Sequence, residues 1–146
     1  RKVLLEDFLL RAGKTLLDQE ILTSIFVPPM GKNSGTAFKK LIRSSQDLAK
    51  VSCAVNISVE GGRCRDIIIA LGAVADKVFR AKKAENILRN EEITDEKIKD
   101  VAQRASQEAQ PITDVRSTAT YRSHVIKVLV ERLVRLSIER AEGKCG

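Results

Sequence analysis

The stretch ITDVRSTATYRSHV, residues 112–125, holds the chain's single tyrosine, Tyr121, and single histidine, His124, with Asp114, Arg116 and Arg122 around them. These residue types could support nucleophilic chemistry: a hydroxyl from Ser117, Thr118, Thr120 or Ser123, a histidine base, and a carboxylate to orient the base. The spacing argues otherwise. Asp114 and His124 stand ten residues apart across a loop-to-helix boundary, and nothing in the sequence places them together. A hydroxyl-rich run before a long apolar stretch is what helix capping alone requires, because Ser and Thr oxygens accept the first free N–H groups. One histidine makes no protein-only zinc site without thiolates or carboxylates at suitable spacing. The segment therefore reads as a capped, arginine-paired helix start, with no catalytic residue and no metal ligand.

Other motifs fail on context. RAGKT, residues 11–15, suggests a phosphate-binding loop, but the motif wants a glycine five positions before Gly13 and that position is Phe8. NIS, residues 56–58, matches a glycosylation acceptor yet lies within a strand pattern. The glycines of Gly61-Gly62 and ALGAVA (70–75) lack the G-x-G-x-x-G order of a dinucleotide loop and suit turns and packing. Cys53, Cys64 and Cys145 show no C-x-x-C pair. So sparse and odd a set indicates free thiols in a reducing, cytoplasmic setting, with Cys145 in a frayed tail.

The chain has 146 residues, 43% hydrophobic and 31% charged, as in an ordinary globular protein. At this size a chain buries roughly 68–70% of its unfolded surface, enough for a core without staples. With four Phe and no Trp, that core is aliphatic. The net charge of +7 points towards an acidic partner. However, the bases are interleaved with acids throughout, and the aromatic platforms of single-strand nucleic-acid binders are missing. No apolar run approaches the roughly 18 residues of a membrane span. The chain opens on Arg1 inside a patterned segment, as expected of a piece of something longer.

The elements that must position any site follow from periodicity. EILTSIFVP (20–28) reads as a strand closed by prolines, and PPMGKNSG (28–35) as a linker marking a domain boundary. TAFKKLIRS (36–44) reads as a short basic strand. In KVSCAVNISVE (50–60), Val51, Cys53, Val55, Ile57 and Val59 alternate with polar residues, which predicts a half-buried antiparallel strand. Gly61-Gly62 turns it into RCRDIIIALGAV (63–74); a two-residue loop pairs Val59 with Cys64 and Val55 with Ile68, while a bulge would shift that register. A disulfide between Cys53 and Cys64 is excluded by their separation along the hairpin. From Arg80 the period is helical. Ala81, Ala84 and Leu88 share one side; Thr94 caps a helix striped by Ile98, Val101, Ala102 and Ala105 that stops at Pro111. The last helix, 118–142, carries Val125, Leu129, Leu133 and Leu136 beside Ile126, Val130, Val134 and Ile138, a stripe broad enough to pack on two sides. The fold class is α+β: a small antiparallel sheet packed against C-terminal helices.

Taken together, these segments resemble a known family. VLLEDFLLRAGKTLLDQEILTSIFVP resembles the end of the FAD-binding domain in the flavoprotein (medium) subunit of the molybdenum hydroxylases, the xanthine dehydrogenase and aerobic carbon monoxide dehydrogenase family. AFKKLIRSSQDLAKVSCAVNISVEGGRCRDIIIALGAVADKVFRAKKAENIL is similar to the beginning of that subunit's C-terminal domain. DVRSTATYRSHVIKVLVERL resembles its closing helix, with the Asp-x-Arg and Tyr-Arg elements. Arg11 stands where the family often has glycine, so the turn before Lys14 is expected to differ.

The resemblance implies residues 1–30 as a remnant of the FAD-binding domain and 31–146 as the C-terminal α+β domain, of the CO dehydrogenase flavoprotein type. It implies FAD held mainly by glycine-rich loops outside this chain, with a molybdenum cofactor and iron–sulfur clusters in partner subunits of a hetero-oligomer. Electrons would run from substrate through the clusters to FAD, then to NAD, a quinone or oxygen. It carries two cofactor-binding positions onto this sequence: Leu22, an apolar wall for the flavin, and Lys39, an ammonium for the anionic nucleotide or reduced flavin. Asp47 and Lys50 fit the pattern as backbone-capping residues. A rival from another class is a cofactor-free basic module that binds an acidic protein or nucleic acid.

Overall fold

The structure, a computed structural model, describes residues 1–44 and 46–143, the side chain of Ala12 excepted; Cys145 lies outside them. A single-turn helix α1 (Leu5–Phe8) and a 3-10 turn at Arg11–Gly13 come first. A segment without regular structure then leads to strand β1 (Ser34–Leu41). Strands β2 (Val51–Glu60) and β3 (Arg63–Gly72) form a long hairpin, and a two-residue strand β4 (Phe79–Arg80) ends the sheet. Helices α2 (Lys82–Leu88), α3 (Asp95–Glu108) and α4 (Ala119–Ala141) follow. The sheet is antiparallel throughout, in the order β1-β2-β3-β4. The α+β class read from the sequence is therefore the one observed.

Alternation in β2 buries Val51, Cys53, Val55, Ile57 and Val59 on one face, where α4 packs. From β3, Ile67, Ile69 and Leu71 join the same core. Helix α4 also packs on α3 and β1, which is why its apolar stripe had to be broad. Each Leu or Ile so buried contributes about 1.5–3 kcal/mol. Both long helices are capped as their sequences require: Thr94 accepts the Lys97 N–H at 3.3 Å and Thr118 the Tyr121 N–H at 3.2 Å. Helix α2 has no capping side chain of its own. Glu108, at the end of α3, accepts the N–H groups of Lys83 and Ala84 at 3.2 and 2.7 Å instead.

The tightest constraint on the helix–sheet contact is Gly35. A Cβ there would lie 2.0 Å from the Ser137 carbonyl oxygen and 2.6 Å from the Ala141 nitrogen, so the end of α4 rests directly on the β1 backbone. Arg140 donates to the Thr36 carbonyl at 2.5 Å, occupying an acceptor on the strand that borders the sheet. At the opposite border, Glu85 is fully buried. It accepts the Ile69 N–H at 2.9 Å, Arg80 at 3.1 and 2.7 Å, and Arg89 at 3.3 Å. One carboxylate thus ties α2 to β3 and β4 and satisfies an amide that so short a β4 leaves open.

Three sequence expectations are corrected. Residues 20–28 form no strand: Ile21, Ile25, Phe26 and Val27 lie exposed, because the β-forming residues find no partner strand among the described residues. Val59 does pair with Cys64, but Val55 pairs with Ile69 and not Ile68. A bulge at Ser58/Val59 inserts Arg65 as an extra residue and advances the register by one. Arg80, read as the start of the helical region, belongs with Phe79 to the short strand β4, and the helix α2 begins at Lys82.

Two substitutions test this packing. Gly35→Ala drives a methyl into α4 backbone that cannot step aside, and is expected to cost about 1–3 kcal/mol as a lowered urea midpoint; an unchanged midpoint would refute the close contact. Glu85→Ala is expected to cost about 3 kcal/mol, the low end for breaking a buried ion pair, since both arginines still reach water. Glu85→Gln, which keeps an acceptor for Ile69, should lose markedly less in the same denaturation series.

Candidate functional site

The Asp114 cluster resolves into a helix start. Asp114 Oδ1 accepts the Arg116 N–H at 2.9 Å, the Ser117 N–H at 3.1 Å and Arg122 Nη2 at 2.6 Å, while Oδ2 takes the Arg116 guanidinium at 2.8 Å. The Arg116 backbone N–H, with the Arg122 and Arg116 guanidiniums and the Ser117 N–H, holds the carboxyl well below the usual carboxylate range, outweighing the opposing effect of burial. Arg122 is buried and also donates to the Ala73 carbonyl at 3.0 Å. Tyr121 and His124 are exposed on the first turns of α4. The members of a conceivable acid–base set are thus divided: Asp114 is committed to two arginines and its own loop, and the histidine faces water.

The remaining motifs follow suit. In RAGKT, Gly13 adopts φ +74° at the end of the 3-10 turn, and no helix opens there to receive a phosphate. Asp47 accepts the Leu48 N–H at 2.9 Å, the backbone role expected of it, whereas the 2.9 Å bond from Lys50 to the Leu41 carbonyl runs from its main-chain N–H and not from its side chain. Cys53 and Cys64 are both free and buried. Burial pushes each thiol up to about 12, helped at Cys64 by the neighbouring Asp66 charge, so neither offers a thiolate near neutral pH. Among the described residues no group of three or more His, Cys, Asp or Glu could hold a metal. No described helix is long and apolar enough to cross a membrane.

The two positions assigned to a cofactor lie on different elements. Leu22 is half exposed, at 50%, in the unpaired segment that precedes β1. Lys39 lies on β1 opposite Cys53. By alternation it shares the parity of the buried Gly35 and Ala37, but near the strand's end its side chain emerges exposed. Neither lines the two depressions on the sheet. One, of about 400 Å³, is bordered by polar residues including Asn33, Asn56, Ser58 and Asp66. The other, of about 330 Å³, is floored by Phe38, Ala54, Ile68 and Ala70, with Arg140 on its rim. Leu22 and Lys39 thus offer an apolar surface and a free ammonium, and no closed pocket of their own.

Sequence reasoning passed over Glu85 and Phe38. Glu85 stands four residues after Ala81 and three before Leu88, on the buried line of α2; that placement was the available signal for a buried carboxylate. Phe38 lies among outward positions of β1 and is 65% exposed, giving the uncovered sheet face its largest apolar side chain.

With this geometry in place, comparison with known proteins assigns the chain. Residues 36–136 match the CO dehydrogenase flavoprotein C-terminal domain. The glyceraldehyde dehydrogenase medium chain of Sulfolobus acidocaldarius is 36% identical over 110 residues, covering 75% of this chain and 39% of that protein. The xanthine dehydrogenase FAD-binding subunit of Escherichia coli O157:H7 is 25% identical, over 90% of this chain and 46% of that one. Among solved structures, a carbon monoxide dehydrogenase from Hydrogenophaga pseudoflava superposes with a TM-score of 0.88 at 31% identity, covering 97% of this chain and 48% of that one. The chain therefore spans about half the length, or less, of the relatives it matches. A sheet backed by α2 and α4, a helix start fixed by Asp114 and Arg122, and a sequence match across residues 36–136 mark this chain as a member of the CO dehydrogenase flavoprotein C-terminal domain family.

Proposed function

We propose that this chain is the C-terminal part of the FAD-binding subunit of a molybdenum hydroxylase. In this reading residues 1–30 complete the flavin domain and 31–146 form the domain that flanks it. The observation that carries the proposal is the apolar ribbon at residues 21–30. Ile21 is 86% exposed, Phe26 85% and Val27 78%, beside the half-exposed Leu22. Contiguous apolar surface of this kind marks an interaction site, and a ribbon of β-forming residues is suited to join a sheet supplied by the rest of a flavin domain.

The residues fit a flavin as a flank and not as a grip. Leu22 would set an apolar wall against the ring and help to keep water from it. Lys39, which has no carboxylate partner among the described residues, would hold a positive charge towards an anionic part of the cofactor. When bound, FAD would accept electrons from the iron–sulfur clusters and pass them to the final acceptor. The remaining surface, including the sheet face around Phe38, would dock the other half of the subunit and its iron–sulfur and molybdenum-cofactor partners. Two free, buried cysteines accord with a complex that works in the cytoplasm.

Two measurements test the reading. FAD titrated against this chain alone should bind weakly or not at all; tight stoichiometric binding would mean that the grip lies inside it. In the intact subunit, Lys39→Ala should remove a charge-assisted contact of about 1.5–3 kcal/mol, weakening FAD retention roughly ten- to a hundredfold. Unchanged flavin content and reduction rate would remove Lys39 from the site.

A further inference from the structure

The loop between β3 and β4, residues 73–78, is fixed more firmly than a connection requires. Ala73 adopts φ +62°, a left-handed conformation costly for a residue with a Cβ. Its carbonyl accepts Arg122 Nη1 at 3.0 Å; Arg122 is only 3% exposed and is anchored in turn by Asp114 at 2.6 Å. The Val74 carbonyl accepts the Gln110 N–H at 2.9 Å. The Asp-x-Arg and Tyr-Arg elements thus converge on the base of this loop.

What the loop presents is Lys77. Its half-buried ammonium donates to the carbonyls of Glu6 at 2.9 Å and Leu9 at 2.6 Å. Those carbonyls belong to the end of α1, where backbone acceptors lack intrahelical partners and a cation is favoured. Lys82 pairs with the Glu6 carboxylate at 3.0 Å and Arg11 with Asp76 at 3.7 Å, but both pairs are exposed and contribute little. Leu4, just before α1, and Leu5 are 67% and 64% exposed, and Phe8 and Leu9 are only part-buried, so apolar burial alone does not hold the segment in place.

We propose that Lys77 is a latch between the two parts of the chain. Carried on a loop braced by Arg122, it captures the free carbonyls of α1 and fixes residues 4–16 against the C-terminal domain. By doing so it sets where the ribbon bearing Leu22 begins. Lys77 is a positioning residue, and its consequence for the flavin rests on the function proposed above.

Hydrogen exchange of this chain tests the latch without any flavin. In Lys77→Met, which keeps the aliphatic stem, amides of residues 4–16 should exchange about tenfold faster or more, while β2 and β3 keep their protection. Lys77→Arg should restore most of the protection. Unchanged exchange in residues 4–16, or equal loss across the whole domain, would overturn the latch. Should Lys77→Met fail to fold, amine acetylation of the unaltered protein decides: Lys77 should react about tenfold more slowly than exposed Lys83, and equal rates would overturn the proposal. In the intact subunit Lys77→Met should also lower FAD retention. Lost protection with undiminished FAD would overturn the flavin consequence alone and leave the latch standing.

Discussion

A single buried carboxylate, Glu85, governs the β4 border of this sheet. β4 is two residues long and cannot satisfy the amides of a ten-residue β3. An N–H left unpaired next to the core is expensive. Glu85 supplies the missing acceptor, and its negative charge is tolerable there only because Arg80 donates to both its oxygens and Arg89 to Oε2. Helix α2 is therefore held by an electrostatic clamp at one edge and by Glu108 at its start. From that fixed helix the chain proceeds into α3, which gives α4 a second surface to pack on.

The other half of the sheet is organised by closeness and not by charge. Gly35 has no side chain, so α4 can lie against β1, and buried Ser137 on the helix faces the sheet with a small polar group whose hydroxyl lies 3.4 Å from the Val55 carbonyl. The two borders thus solve the same problem with different chemistry. Between them the helix-covered face is dry and aliphatic, while the opposite face, with Phe38, Ala54, Ile68 and Ala70, remains open. Asp114, Thr118 and Arg122 serve this architecture: they start α4 and brace the loop beside it.

Much of this was legible in the residues. The period-two run of β2, the hydroxyl caps Thr94 and Thr118, and the twin stripes of α4 each reflect local physics that tertiary contacts only reinforce. What escaped detection depends on distant partners. Residues 20–28 have every local mark of a strand, yet pairing requires a neighbour, and the sequence does not reveal where that neighbour resides. The bulge at Arg65 carries no glycine or proline to betray it, so Ile69 took the place expected of Ile68. Glu85 reads as one more charged helix residue until Arg80, Arg89 and the Ile69 amide are seen around it. Leu22 and Lys39 were singled out by family likeness, not by periodicity. Both lie on exposed surface, where the alternation of apolar and polar residues that marks a core leaves no signal.

The Arg140 contact with Thr36 bears on how copies of this polypeptide would behave when crowded. A bare marginal strand is a template on which further strands polymerise, and proteins commonly blunt it with a cation. Here the guanidinium obstructs that template on β1, whereas nothing comparable among the described residues shields the hydrophobic ribbon at 21–30. Self-adhesion would accordingly begin at the ribbon, leaving the sheet's outer rim inert.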